Sequence, residues 1–189
     1  HPAVADPSYA VASMENTNLR GRNVLVEGTD IAISTGTAEG ADEDTTTEYR
    51  EYVHVGLGNS EKDDYKGQDV TGKIVLAQRG KASFNEKANL AKEKGAAGII
   101  IYNTTDGNNL SFMSGMENKE FPSVFISYEA GQQLIKLLEE KPQQKINITK
   151  VQSVKNDKGG QMSEFSSWGI TPDLRLKPDI AGVGGQIYS

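Results

Sequence analysis

The sequence predicts a mixed α/β fold. Three observations carry that prediction: short apolar runs that are continuous rather than alternating, two stretches with apolar residues at helical spacing, and the interleaving of the two kinds along the chain.

Taken in order, Tyr9–Met14 is an apolar run after the turn signal Asp6-Pro7-Ser8 and reads as a strand. Val24-Leu25-Val26 and Ile31-Ala32-Ile33 read as weak strands. The polar stretch Gly36–Glu48, rich in Thr, Asp, Glu and Gly, has no periodicity and reads as a mobile loop. Tyr52–Val55 alternates like a strand. Ile74–Ala77 reads as a short buried strand. Ser83 and Glu86 stand at the spacing of a capping box, and Phe84, Ala88 and Ala91 then define one helical face with charges opposite. Gly95 sits where a helix end favours positive φ. Ala97–Tyr102 is apolar on both faces, which after a helix predicts a parallel, right-handed β-α-β unit.

A second unit follows. Val124-Phe125-Ile126 reads as a strand and Ser127 as the cap of a helix whose face is Ala130, Leu134, Leu137 and Leu138. Pro142 lies just beyond its end. Ile146, Ile148 and Val151 alternate with polar residues, as in a one-sided strand near a sheet edge. Asn156–Gly160 has linker composition, and Gly182, Gly184 and Gly185 mark a glycine-rich tail.

Composition narrows the function. The chain has 189 residues, 36% of them apolar and gathered in blocks, which is enough to build a core. A net charge of −6 disfavours nucleic acid and anionic membranes as partners. No apolar run approaches the roughly 20 residues that span a bilayer. The first residues carry no leader, and the segment reads as a piece of a longer protein. With no cysteine, disulfides, thiol nucleophiles and cysteine zinc sites are excluded.

No catalytic set stands out. The two histidines, His1 and His54, lack metal-ligand spacing, and His54 in its alternating segment reads as structural or surface. No serine lies in a Gly-x-Ser-x-Gly or Gly-Thr-Ser setting, and nothing nominates a Ser–His pair. Asp42-Glu43-Asp44 and Asp63-Asp64 lack the ligand spacing of a calcium loop and read as solvated. Glycines 182, 184 and 185 do not follow a strand and open a helix, so they make no phosphate cradle. No metal or cofactor is expected.

The middle of the chain resembles the protease-associated (PA) domain. The matching blocks are Val70–Leu76, Arg79-Gly80, Phe84 and Lys87, Gly95–Asn103, and Phe121–Ser127 with Gly131 and Leu134. The ends resemble the catalytic domain of subtilisin-like proteases. Ala5–Ser13 is similar to the strand after the substrate-pocket wall; Phe165–Gly169 with Lys177–Ile180 is similar to the stretch before the nucleophile's helix. Together these imply the PA insert of a cell-envelope subtilase of the lactocepin and complement-cleaving peptidase group. The implied fold is a β-sandwich-like core flanked by two main helices, plus flanking strands from a subtilisin-type α/β domain. The implied division is residues 1–20 and 156–189 as catalytic-domain fragments and 21–155 as the PA domain.

The resemblance implies a secreted or wall-anchored serine endopeptidase as parent, whose catalytic Asp, His and Ser lie outside this segment. No catalytic residue is therefore assigned. His1, Pro2 and Ala3 align with a substrate-lining segment. Where the subtilase pattern has an Ala-Pro-Gly turn, this chain has Ala181–Gly185, which lacks the rigidity of proline. The implied partners are the parent's protein or peptide substrate and the rest of the catalytic domain. Gly36–Glu48 and Thr104–Lys119 are the candidate contact loops. The apolar end strands are expected to pair with each other or, by strand exchange, with a second copy.

Overall fold

The computed structural model describes residues 11–36, 44–105, 117–155, 159–163, 166, 169, 170 and 176–185. The chain divides into two compact units, Gly21–Gln152 and the end segments His1–Arg20 with Ser153–Ser189.

The middle unit is a seven-stranded mixed sheet with two helices. Its strands are β3 (Asn23–Val26), β4 (Ala32–Ser34), β5 (Arg50–His54), β6 (Ile74–Gln78), β7 (Gly98–Tyr102), β8 (Ser123–Ile126) and β9 (Lys145–Ile148), in the order β4-β3-β9-β5-β6-β7-β8. Strands β5 to β8 run parallel, with Val75 opposite Ile99 and Ile100 opposite Val124. Strands β3, β4 and β9 add antiparallel partners. An isolated antiparallel bridge joins Gly36 to Phe125, so the residues just after β4 meet β8 at the opposite end of the strand order.

Helix α1 (Phe84–Glu93) begins as expected. The Ser83 hydroxyl accepts from the Glu86 amide and the Glu86 carboxylate accepts from the Ser83 amide, a box that stabilises by about 1 kcal/mol. Gly95 follows its end at φ +82°, a conformation that glycine adopts without strain. Helix α2 (Tyr128–Glu140) is capped by Ser127, which accepts from the Ala130 amide.

Two clusters fill the core. On one face Ala88 and Ala91 of α1 pack on Val75, Ala77, Ile99, Ile101 and Phe125, and Phe84 meets Phe125 edge-on at 5.5 Å. On the other, Leu134 of α2 packs on Leu76, Ile100, Ile126, Ile146 and Ile148. Burial of both faces explains why β6, β7 and β8 read as unbroken apolar runs. Two of the close approaches that need glycine involve β7. A Cβ on Gly98 would lie 2.9 Å from the Pro122 carbonyl, and one on Gly131 would lie 2.4 Å from the Tyr102 ring.

Two expectations are corrected. Strand β9 is not near an edge: it pairs with β3 on one side and β5 on the other. Its alternation arises because one face is covered while Lys145 and Asn147 point away from the core, not because a neighbour is missing. Nor are the charges of α1 confined to its outer side, since Lys87 is fully buried. It lies three residues after Phe84, on the inward face.

In the end unit, β1 (Val11–Glu15) pairs in parallel with β13 (Ile180–Gly185), Val11 opposite Ile180 and Met14 opposite Val183. The ends therefore pair with each other, the first of the two expected arrangements. The second edge of β1 is met by residues 160–163, through a Met14–Met162 bridge and a Ser163 amide donating to the Ser13 carbonyl at 2.9 Å. Strand β11 (Gly169–Ile170) pairs antiparallel with β12 (Leu176–Lys177), and β2 (Asn18–Gly21) pairs with β10 (Gln152–Lys155).

Candidate functional site

In open parallel sheets, recognition concentrates where strands end at their carboxyl edge. Here that edge carries a small network of polar side chains, Arg79, Asn103 and Asn85. Arg79 follows β6, and its backbone amide donates to the Tyr102 carbonyl at 2.8 Å. Its guanidinium lies over the Phe84 ring, 5.9 Å from the centroid, and donates to Asn103 Oδ1 at 3.4 Å. That same Oδ1 accepts from the Thr104 amide at 2.9 Å. On the far side of the segment 106–116, the Glu117 amide donates to Asn85 Oδ1 of α1 at 3.1 Å.

Beside this network the loop after β5 is locked from two directions. Asp64 accepts from the Asn59 and Ser60 amides, each at 2.8 Å. Lys87 reaches from α1 to donate to the Leu57 carbonyl. Burial pulls the Lys87 ammonium below its ordinary pKa, against the opposing pull of Asp64 and Glu86. Tyr65 packs against this loop, and burial, helped by the Asp64 charge, pushes its hydroxyl up to about 12. These groups hold the loop in place.

His54 ends β5. Its Nε2 lies 3.0 Å from the Tyr102 hydroxyl, and burial lowers its pKa. Its partner is thus a tyrosine rather than a serine. Asp63-Asp64 serves the loop: Asp64 caps the two amides above, and Asp63 N–H donates to Ser60 Oγ at 3.1 Å. Among the described residues no three His, Asp or Glu side chains group as metal ligands. His1, Pro2 and Ala3 lie outside the described residues, as do 37–43 of the first candidate loop and 106–116 of the second.

At the opposite, amino edge of the parallel strands is a shallow cleft of about 280 Å³ lined by Thr46, Thr47, Glu48, Arg50 and Ala97. Its polar groups are engaged. Thr47 Oγ1 accepts from the Ile148 amide at 2.9 Å, and Arg50 Nη1 donates to the Gly72 carbonyl at 3.1 Å.

Sequence reasoning missed the burial of Lys87 and the Arg79–Asn103 contact. The first was visible in the spacing 84, 87, 88, 91. The second joins residues 24 apart through strand pairing and left no local signal.

A match to the PA-domain family covers residues 45–134, the stretch that contains β5, β6, α1, β7 and β8. Residues 45–134 are a PA domain. The chain as a whole is 34% identical, over all of its length, to the C5a peptidase of Streptococcus pyogenes serotype M18, of which it spans 16%. It is 35% identical to the minor extracellular protease Vpr of Bacillus subtilis, the alignment covering 74% of this chain and 16% of Vpr. Among solved structures, an aminopeptidase from Aneurinibacillus matches 78% of this chain and 42% of its own, with a TM-score of 0.55 at 23% identity, a likeness of fold. Both curated relatives are named as a peptidase or a protease, and the chain spans about one sixth of the first of them. No described helix is long and apolar enough to cross a membrane.

Proposed function

We propose that this chain is the non-catalytic PA insert of a secreted or cell-wall subtilisin-like serine endopeptidase, where it controls which protein substrates reach the active site. The observation that carries this reading is the combination of a self-contained PA core with end segments that align, along with it, to a protease of which the whole chain makes up 16%. Residues 1–20 and 156–189 are read as pieces of the catalytic domain and 21–155 as the insert. The parent's triad is assigned to residues outside this segment, so the segment alone is inactive. His1, Pro2 and Ala3 are read as lining the substrate path. The partners are a protein or peptide substrate and the remaining catalytic domain, with no nucleic acid, no membrane and no cofactor. An extracellular location is supported by the name of the Vpr relative.

The recognition elements are the carboxyl-edge network and the segment Thr104–Lys119 between its two anchors, Asn103 and Asn85. Contacts remote from the scissile bond raise specificity when they are made only by the correct substrate. The test deletes Thr104–Lys119 from the full protease and compares kcat/KM for its protein substrate and for a short peptide. A loss confined to the protein substrate is expected. Equal rates on both substrates before and after deletion overturn the reading. A fall in Tm with both rates unchanged would instead assign the insert a purely stabilising role.

A further inference from the structure

Arg79 is an exposed cation held in a fixed pose. Stacking on Phe84 and the bond to Asn103 fix its guanidinium, and Asn103 is itself only 3% exposed. Among the described residues this guanidinium makes no other hydrogen bond, so most of its N–H fork is open. Glu86, the nearest acid in sequence, is occupied by the Ser83 amide and hydroxyl at 2.7 and 2.8 Å.

Next to it the backbone is strained. Lys81 has φ +61°, and the Ala82 amide donates to the Gly80 carbonyl at 2.8 Å, closing a three-residue turn around it. Such a turn is rare for a side chain other than glycine, and strain of this kind concentrates at functional positions. The result is two exposed cations two positions apart at the carboxyl edge of a chain whose net charge is −6.

We infer that Arg79, with Lys81 beside it and Asn103 behind it, binds a carboxylate of an extended polypeptide, the side chain of a Glu or Asp in the substrate of the parent protease. The guanidinium fork matches a carboxylate in two parallel hydrogen bonds, and a guanidinium already stacked and bonded loses little further freedom on binding. This rests on the access-controlling reading and adds to it the chemistry of one subsite.

The test is an amide NMR titration of the 189-residue chain. The probe is an acetylated, amidated heptapeptide of alternating glycine and glutamate, and its glutamine counterpart is the control. Saturable shifts confined to Arg79–Ala82 and Asn103–Thr104 are expected with the glutamate peptide, with affinity about tenfold lower for the glutamine peptide and for Arg79→Gln. Lys81→Gln should weaken binding about twofold. Because both variants are measured, loss of fold in one leaves the other to decide. No localised shift, an equal response to both peptides, or unchanged affinity in either folded variant overturns the inference. If deletion of Thr104–Lys119 impairs cleavage of the protein substrate while the heptapeptide shows no site at Arg79, the carboxylate subsite falls and the access role stands. If binding at Arg79 is found and the deletion changes nothing, the access role falls.

Discussion

Strands β7 and β13 are both rich in small and apolar residues, yet they meet opposite environments. Every residue of Gly98–Tyr102 is buried, whereas Ile180 and Val183 of β13 are 57% and 54% exposed. Strand β7 has β6 and β8 at its edges, Ala88 and Ala91 of α1 on one face and Leu134 of α2 on the other. Among the described residues strand β13 pairs with β1 alone, and Val11 opposite Ile180 is also 61% exposed. Parallel strands are stable when both faces are covered. The middle unit supplies that cover from its own sequence. The end segments supply none among their described residues, where no helix occurs. Similar residues in similar strands therefore meet different surroundings: one region completes its own core, the other leaves apolar side chains exposed among its described residues.

The sharpest way to break this contrast is a pair of substitutions read by denaturant unfolding. Phe125→Ala, at a fully buried ring packed on Phe84, should cost about 3–5 kcal/mol. Ile180→Ser should change stability by less than about 0.5 kcal/mol. Comparable losses would mean that β13 is as much a part of a closed core as β8.

A second pair uses glycine. Gly131→Ala would place a methyl group 2.4 Å from the Tyr102 ring, so overpacking of about 1–3 kcal/mol should outweigh the roughly 1 kcal/mol that alanine adds to a helix. Gly182→Ala, whose added carbon would sit at an ordinary 3.8 Å from Val11, should be close to neutral. Stabilisation by Gly131→Ala would contradict the close approach of α2 to β7.

Much of the middle unit was legible because local signals agreed with tertiary demands. The capping box at Ser83, the positive φ at Gly95 and the apolar runs of β6 to β8 each have a cause within a few residues. Strand β9 was misplaced because alternation reports which face is covered and says nothing about how many neighbours a strand has. Lys87 was misread because a charged residue on a helix is ordinarily solvated; the Leu57 carbonyl, brought in by another loop, and the charges of Asp64 and Glu86 offset its burial. At the candidate site, Arg79 and Phe84 belonged to the recognised pattern. Their convergence with Asn103 depends on the β6–β7 register, which pairs Gln78 with Tyr102. Parallel pairing of β1 with β13 joins chain segments too distant for local pattern to connect.

The smallest expected effect is electrostatic. Burial holds the His54 pKa below its ordinary 6.5, so the unfolded chain binds more protons as pH falls through that value. The contribution of neutral His54 is fully present above pH 6.5 and is lost as pH drops toward the lower folded-state value. His54→Gln should flatten the decline in stability between about pH 7 and 5 while leaving stability at pH 8 within about 1 kcal/mol. An unchanged slope would show that the ring titrates as it does in the unfolded chain.

Hydrogen exchange, residue by residue, on the 189-residue chain tests most directly whether the middle segment is self-sufficient and the end strands are not. Amides of Ile99, Ile100 and Ile101 should exchange only through global unfolding, and those of Ala12, Ala181 and Gly182 about a hundredfold faster or more. Equal protection of β7 and β13 in the isolated, monomeric chain would contradict the account.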